Sequence, residues 1–289
     1  MERRTILVQI DCDPLPSVFD RVVAVDAGVE EIFSYGGVRP EQVRDLVHGA
    51  IFTRGVKHLK RTALFIGGSN VEKAEELFDE ARRHMLPDVG LRVSILFDAN
   101  GCSTTSAAAV YSAAQHLDLS HARALVLGGT GPVGQRVARL LARQGSEVRI
   151  ASRKLDRAMS VCEAIRQKVN NARVEPVETS SSEGTVAALS GRNLVIAAGA
   201  AGVRMLTEEQ RNKCSDLRVA IDLNAVPPLG MEGVDYRDHA VLRNDAFCYG
   251  AIGIGATKMK IHKAAISRLF QSNDQVLDVE EVYELAASL

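Results

Sequence analysis

The run Ala124-Leu125-Val126-Leu127-Gly128-Gly129-Thr130-Gly131-Pro132-Val133-Gly134 sets a Gly-x-Gly-x-x-Gly pattern directly behind four apolar residues. Glycines at that spacing let the backbone turn tightly and approach a pyrophosphate, whose charge then meets exposed amides and the positive end of the following helix. Val137, Leu140 and Leu141 continue at helical spacing, so the turn joins a strand to a helix. By itself such a turn is a common connection. A second strand, Glu147 to Ala151, at the distance a strand-helix-strand unit requires makes it a dinucleotide site, with Gly129, Thr130, Gly131, Pro132, Val133 and Gly134 as contacts.

That second strand runs into Ser152-Arg153-Lys154, where sites for NAD commonly carry a carboxylate on the adenosine ribose. A hydroxyl followed by two cations suits a 2′-phosphate instead, which Arg grips bidentately and Lys neutralises, so the expected cofactor is NADP. The plainer alternative is that Arg153 and Lys154 form a solvated face opening the next helix. Ala198 and Gly199, heading a small-residue segment after a later strand, would let the backbone approach the nicotinamide end.

The elements that must hold these residues come in two alternating series, the pattern of parallel sheets covered by helices. The first has strands at 6–10, 32–35, 63–66 and 93–97, with a helix over 71–85 whose Val71, Ala74, Leu77, Phe78, Ala81 and Met85 make one apolar face. The second has strands at 124–127, 148–151, 194–198 and 219–221. Helices over 103–117 and 258–270 lead from one series to the other and back, and a last helix spans 279–287. Residues 179–182 read as a surface loop. The fold class is α/β and two-lobed: a Rossmann-type NADP domain at 103–271 and a smaller α/β domain at 1–102 with 272–289.

Composition narrows the partners. With 35 Lys+Arg against 36 Asp+Glu the net charge is -1, which gives no field to draw the chain onto nucleic acid or an anionic membrane. The five cysteines are scattered without metal-ligand spacing, so neither zinc nor a disulfide framework is expected, and the seven histidines share no motif. No apolar run approaches the roughly 18 residues of a membrane span, and Asp11 interrupts any leader-like segment, so the expected location is cytoplasmic.

Several segments together resemble the methylene-tetrahydromethanopterin dehydrogenase family over nearly the whole chain. They include Ser17-Val18-Phe19-Asp20, Ile51-Phe52-Thr53-Arg54-Gly55, Phe65-Ile66-Gly67-Gly68 and Asp98 to Thr105. In the second half they are Gly129 to Gly134, Ser152 to Asp156, Asn224 to Gly230 and Gly250 to Lys258. The resemblance implies oxidation of a methylene-tetrahydropterin to its methenyl form, on tetrahydromethanopterin and in some members tetrahydrofolate. It also implies a homo-oligomer, typically a trimer. Hydride leaves a carbon between two nitrogens, no proton need move, and neither a metal nor a nucleophile is required. Catalysis then rests on positioning and on a field prepared for the cation.

On the same basis Asp20 and Lys258, from different lobes, are the catalytic candidates. Ser17, Asp98, Gly101, Thr104 and Thr105 are the substrate-binding candidates, and Asn224 joins the cofactor contacts. Lys258, at the start of a helix behind a glycine-rich segment, would orient a pterin oxygen or pair with a carboxylate. The ordinary alternatives are a surface charge for Asp20, a helix cap for Thr104 and a solvated lysine. Two other functions compete. A bifunctional methylene-tetrahydrofolate dehydrogenase and cyclohydrolase needs a Tyr-x-x-x-Lys pair, but Tyr35 is followed four residues on by Arg39 and Tyr111 by Gln115. A noncatalytic NADP-sensing protein would carry the same glycine turn.

Overall fold

A computed structural model describes residues 3–289. The chain divides into two compact units, Met1–Thr104 with Met259–Leu289, and Thr105–Lys258. Both divisions fall inside helices, at 104/105 and 258/259, where the sequence reading sets them at 102/103 and 271/272.

The first unit carries strands β1 (Ile6–Asp11), β2 (Glu31–Tyr35), β3 (Thr62–Gly67) and β4 (Ser94–Phe97), with helices α1 (Val18–Asp26), α2 (Pro40–Phe52) and α3 (Val71–Arg83) between them. Helix α4 (Cys102–Ala114) leaves this unit. Every pairing in its sheet is parallel, and the core strands read as continuous apolar runs because both faces are covered: all six residues of β3 are buried. In α3 the buried residues are Val71, Ala74, Leu77, Phe78 and Ala81, five of the six expected from their spacing; the helix ends at Arg83, which leaves Met85 half-buried beyond it.

The second unit holds β5 (Arg123–Leu127), α5 (Pro132–Arg143), β6 (Glu147–Ser152), α6 (Leu155–Lys168), β7 (Arg173–Glu178), α7 (Ser182–Leu189), β8 (Leu194–Ala197), α8 (Glu208–Asn212), β9 (Val219–Asp222), β10 (His239–Arg243), β11 (Ala246–Tyr249) and then α9 (Ala251–Arg268). A short β12 (Val276–Leu277) and α10 (Val279–Ala287) complete the first unit, whose sheet order is β12-β4-β3-β1-β2. In the second the order is β10-β11-β9-β8-β5-β6-β7, parallel throughout except for the β10–β11 hairpin. Counting from β5, the order is 3-2-1-4-5-7-6, which becomes the 3-2-1-4-5-6 order of a dinucleotide-binding sheet once the antiparallel edge strand β10 is set aside, with its reversal between β5 and β8. Among the described residues no helix is long and apolar enough to cross a membrane.

One element corrects the sequence reading. The helix expected to start at Lys258 begins at Ala251, so Lys258 lies two turns inside α9. Gly250 and Gly253 serve packing: a Cβ on Gly253 would sit 1.9 Å from the Asp238 carbonyl oxygen, so only hydrogen lets the helix lie against the loop before β10, whereas Gly255 has no such neighbour.

Candidate functional site

The ends of β5, β6 and β8 surround a cavity of about 620 Å³ in the second unit. Of the residues expected to contact a cofactor, Thr130, Gly131, Ser152, Arg153, Lys154, Ala198 and Gly199 line it. The turn after β5 has Gly128 at φ +66°, and a Cβ there would lie 2.7 Å from the Gly199 Cα; the loops after β5 and β8 therefore touch, which sequence spacing alone does not reveal. Gly131 is the N-cap of α5 and offers no side chain to its first-turn amides, while Pro132 takes the position whose missing N–H costs nothing. An uncapped helix end opening on a cavity is an anion site by backbone geometry and dipole together. Gly129, Pro132, Val133 and Gly134 shape this turn without lining the cavity.

At the other end Ser152 is buried; its hydroxyl accepts the Lys154 amide at 3.2 Å and its carbonyl accepts the Thr179 amide at 2.9 Å. This fixes the corner from which Arg153 and Lys154 project, both exposed. At this end the sequence reading does not name two of the lining residues, Arg157 and Thr179. Arg157, in the first turn of α6, follows Lys154 by three residues and so shares its side of the helix, a signal the spacing does contain. Thr179, from the loop read only as surface, reaches the same wall because β7 pairs with β6 up to Ser152 and Glu178. Among the described residues no carboxylate pairs with Arg153, Lys154 or Arg157, so all three charges are available to a ligand. Asn224 does not line the cavity: its side chain accepts the Val226 amide at 2.9 Å and donates to the Pro228 carbonyl at 3.3 Å, organising its own loop.

In the first unit the carboxyl ends of the strands are laced together. Buried Asp11 accepts the Asp13 amide at 2.8 Å and the Ser17 amide at 3.2 Å, and burial pushes its carboxyl above the usual range despite those bonds. Asp13 accepts both the amide and the hydroxyl of Ser69 at 2.8 and 2.9 Å, tying the loop after β1 to the loop after β3. Ser17 caps α1 by accepting the Asp20 amide at 3.2 Å, which brings these two half-buried candidates together at the start of the helix. The ligand atoms of Asp11, Cys12 and Asp13 lie within 4.8 Å of one another, yet both carboxylates are already engaged by amides.

Asp98 is buried and accepts the Ser103 and Thr104 amides, each at 2.9 Å, and the Thr104 hydroxyl at 2.6 Å. It joins Thr104 and Gly101 in one knot at the start of α4, with Gly101 at φ +63°. Thr105 follows, half-buried, and belongs with the second unit, as does half-buried Lys258; Asp20 belongs with the first.

Residues 18–100 match the family described as methylene-tetrahydromethanopterin dehydrogenase, N-terminal, and residues 111–238 match shikimate / quinate 5-dehydrogenase. The solved shikimate 5-dehydrogenase of Listeria monocytogenes, in complex with shikimate and NAD, superposes with a TM-score of 0.53 over 98% of this chain and 96% of its own at 13% identity, a likeness of fold. The chain is 39% identical to the bifunctional protein MdtA of Methylorubrum extorquens, with 99% of each chain covered. It is 30% identical to the NAD(P)-dependent methylenetetrahydromethanopterin dehydrogenase of the same organism, with 94% of each covered. Identity at that level along almost the full length leaves one conclusion: the chain belongs to the methylene-tetrahydromethanopterin dehydrogenase family.

Proposed function

We propose that this chain oxidises the methylene group carried by a reduced pterin to the methenyl form, by direct hydride transfer to NADP. The observation that carries the reading is the cavity at the β5–β8 reversal, where an uncapped helix end and three unpaired cations meet in a family named for this reaction. The pterin is tetrahydromethanopterin by the name of the family and of one relative, with tetrahydrofolate a second carrier because the reacting ring is shared.

The residues present fit a nicotinamide dinucleotide. Gly131 and the first turn of α5 would hold the pyrophosphate; Ser152, Arg153 and Lys154, joined by Arg157 and Thr179, would hold the adenosine 2′-phosphate. Ala198 and Gly199 would leave room at the nicotinamide end. When bound, the cofactor supplies the hydride acceptor. The chain's own part is orientation and field, since the methenyl cation shares its charge between two nitrogens and no proton moves in the step. The Asp20 carboxylate would offset that charge, and Lys258 would orient a pterin oxygen. Ser17, Asp98, Gly101, Thr104 and Thr105 would shape the substrate's surroundings, through the knots already described for Ser17 and Asp98. A cytoplasmic homo-oligomer, trimeric by family resemblance, completes the reading.

The test supplies purified protein with each methylene carrier and with NADP or NAD, and follows the reduced nicotinamide. Turnover with a clear NADP preference is expected. NADP binding without turnover on either carrier would return the chain to the sensor alternative. The cyclohydrolase alternative has neither its Tyr-x-x-x-Lys pair nor a relative named for that activity among those described above.

A further inference from the structure

Arg204 stands on the same cavity, and neither the sequence motif nor the 2′-phosphate corner accounts for it. Its Nη1 lies 2.7 Å from Glu232 Oε1, with both side chains partly exposed. The backbone on either side is unusually well fixed for a loop. The Met205 and Leu206 amides both donate to the Gly230 carbonyl, at 2.8 and 3.1 Å, and the Glu232 amide donates back to the Leu206 carbonyl at 2.9 Å. Buried Asp222 holds that second strand of chain by accepting the Met231 amide at 2.8 Å. Glu232 is anchored as well, because its Oε2 accepts the Glu208 amide at 3.1 Å. A guanidinium has five N–H donors, so a bond to one carboxylate oxygen leaves donors for a second anion.

Topology decides which anion. In the order β8-β5-β6 the glycine turn after β5 lies in the middle, Arg153 follows β6 on one side, and Arg204 follows β8 on the other. The two arginines therefore flank the turn from opposite sides, and the phosphates within reach of the β8 side are those lying on the turn itself. We infer that Arg204 is a second-side clamp for the cofactor's pyrophosphate, held in place by Glu232, and that it strengthens binding without contributing to the choice of NADP over NAD. This rests on the dinucleotide reading of the cavity. It adds a residue that binds the part common to both cofactors, in contrast to Arg153, which would bind the part that distinguishes them.

The experiment compares NADPH, titrated through its own fluorescence, with 2′-AMP, a fragment that carries the 2′-phosphate and no pyrophosphate, measured as a competitive inhibitor. In Arg204→Gln the NADPH dissociation constant should rise roughly tenfold, the scale of one charge-assisted hydrogen bond, while the 2′-AMP inhibition constant stays at the wild-type value. Arg153→Gln should raise both. Glu232→Gln should raise the NADPH constant by a smaller factor and leave 2′-AMP alone, and Arg204→Lys should recover part of the loss. Wild-type NADPH affinity in Arg204→Gln, or an equal loss for 2′-AMP, would overturn the assignment, and tighter NADPH binding in Glu232→Gln would overturn the positioning role. A wild-type protein that binds neither ligand would instead sink the reading of the cavity.

Discussion

The two units use one device and put it to different ends. Each closes an interior parallel strand with a buried aspartate, Asp11 as the last residue of β1 and Asp222 as the last residue of β9, that accepts amides from the loop beyond; burial pushes both carboxyls up. In the second unit the anchored loops leave a helix end and three cations unengaged around a cavity. In the first, Ser17 and Asp98 are taken up by caps and knots. The second unit thus offers backbone amides and free charge, whereas the polar side chains of the first mainly hold its loops in shape. The first kind should fail when its backbone is crowded, the second when a knot is loosened.

Crowding gives the largest expected effects, and it can break the comparison outright. Gly128→Ala would put a methyl group 2.7 Å from Gly199 on a backbone at φ +66°, and NADPH affinity should fall on the order of a hundredfold, with a destabilisation of about 1–3 kcal/mol. Gly68→Ala, at φ +119°, would drive its methyl to 2.2 Å from Cys12 Sγ and disturb the loops after β1 and β3. It should raise KM for the pterin and leave NADPH binding unchanged. If either variant damages both ligands equally in titration and kinetics, the division of labour between the units is wrong.

Charge reversal comes next. Arg153→Asp should cost roughly one to two decades of kcat/KM with NADP, given about 1.5 to 3 kcal/mol for a charged hydrogen bond. The efficiency with NAD should change far less. An unchanged NADP/NAD ratio would return Arg153 to the solvated-face alternative.

This asymmetry is also why the second unit was the more legible in sequence. A glycine turn and a Ser-Arg-Lys corner announce themselves because backbone chemistry fixes their residue types, and most of the expected cofactor residues do line the cavity. Arg157 was one helical turn away from being read. Arg204 was not readable, since its position depends on the Leu206–Met231 bridge, a contact between loops. Strand β7 escaped because Pro176 interrupts its pattern, which an edge strand tolerates. The β10–β11 hairpin left a signal in Asn244 and Asp245, both at positive φ as a tight two-residue turn demands. In the first unit the strands and α3 were plain, whereas the knot around Asp98 joins residues whose types suit a cap and a ligand equally well.

A smaller effect sharpens the pterin side. Asp20→Asn and Lys258→Met should each lower kcat by roughly tenfold while changing NADPH affinity by less than twofold or so, because only interactions stronger at the barrier top accelerate chemistry. Stopped-flow single turnovers paired with NADPH titrations measure both quantities. Wild-type kcat in both variants would make the two residues ordinary surface charges.

The smallest expected effect tests whether the two buried aspartates really are the same device. Burial raises the folded-state pKa of each above the ordinary aspartate value of 3.8. The folded protein therefore keeps a proton that the unfolded chain has already released, and the stability this confers is complete below pH 3.8. It is lost as pH rises through the raised value and stays constant above it. Asparagine does not titrate, so Asp11→Asn and Asp222→Asn should each flatten that decline, although both lower stability at every pH by removing an acceptor of a buried amide, at a cost of about 1–3 kcal/mol. The slope, read from urea unfolding at closely spaced acidic pH values, isolates the titration from the lost bond. Function should then separate what the slopes unite. Asp11→Asn loosens the loop that sets Ser17 and should raise KM for the pterin, whereas Asp222→Asn loosens the wall behind Met205 and should weaken NADPH. In neither variant should the single-turnover rate vary with pH near neutrality, because no proton moves with the hydride. Slopes equal to wild type would mean that these carboxyls titrate alike in folded and unfolded chains, and the likeness between the two units would then be one of hydrogen-bond geometry without a shared energetic cost.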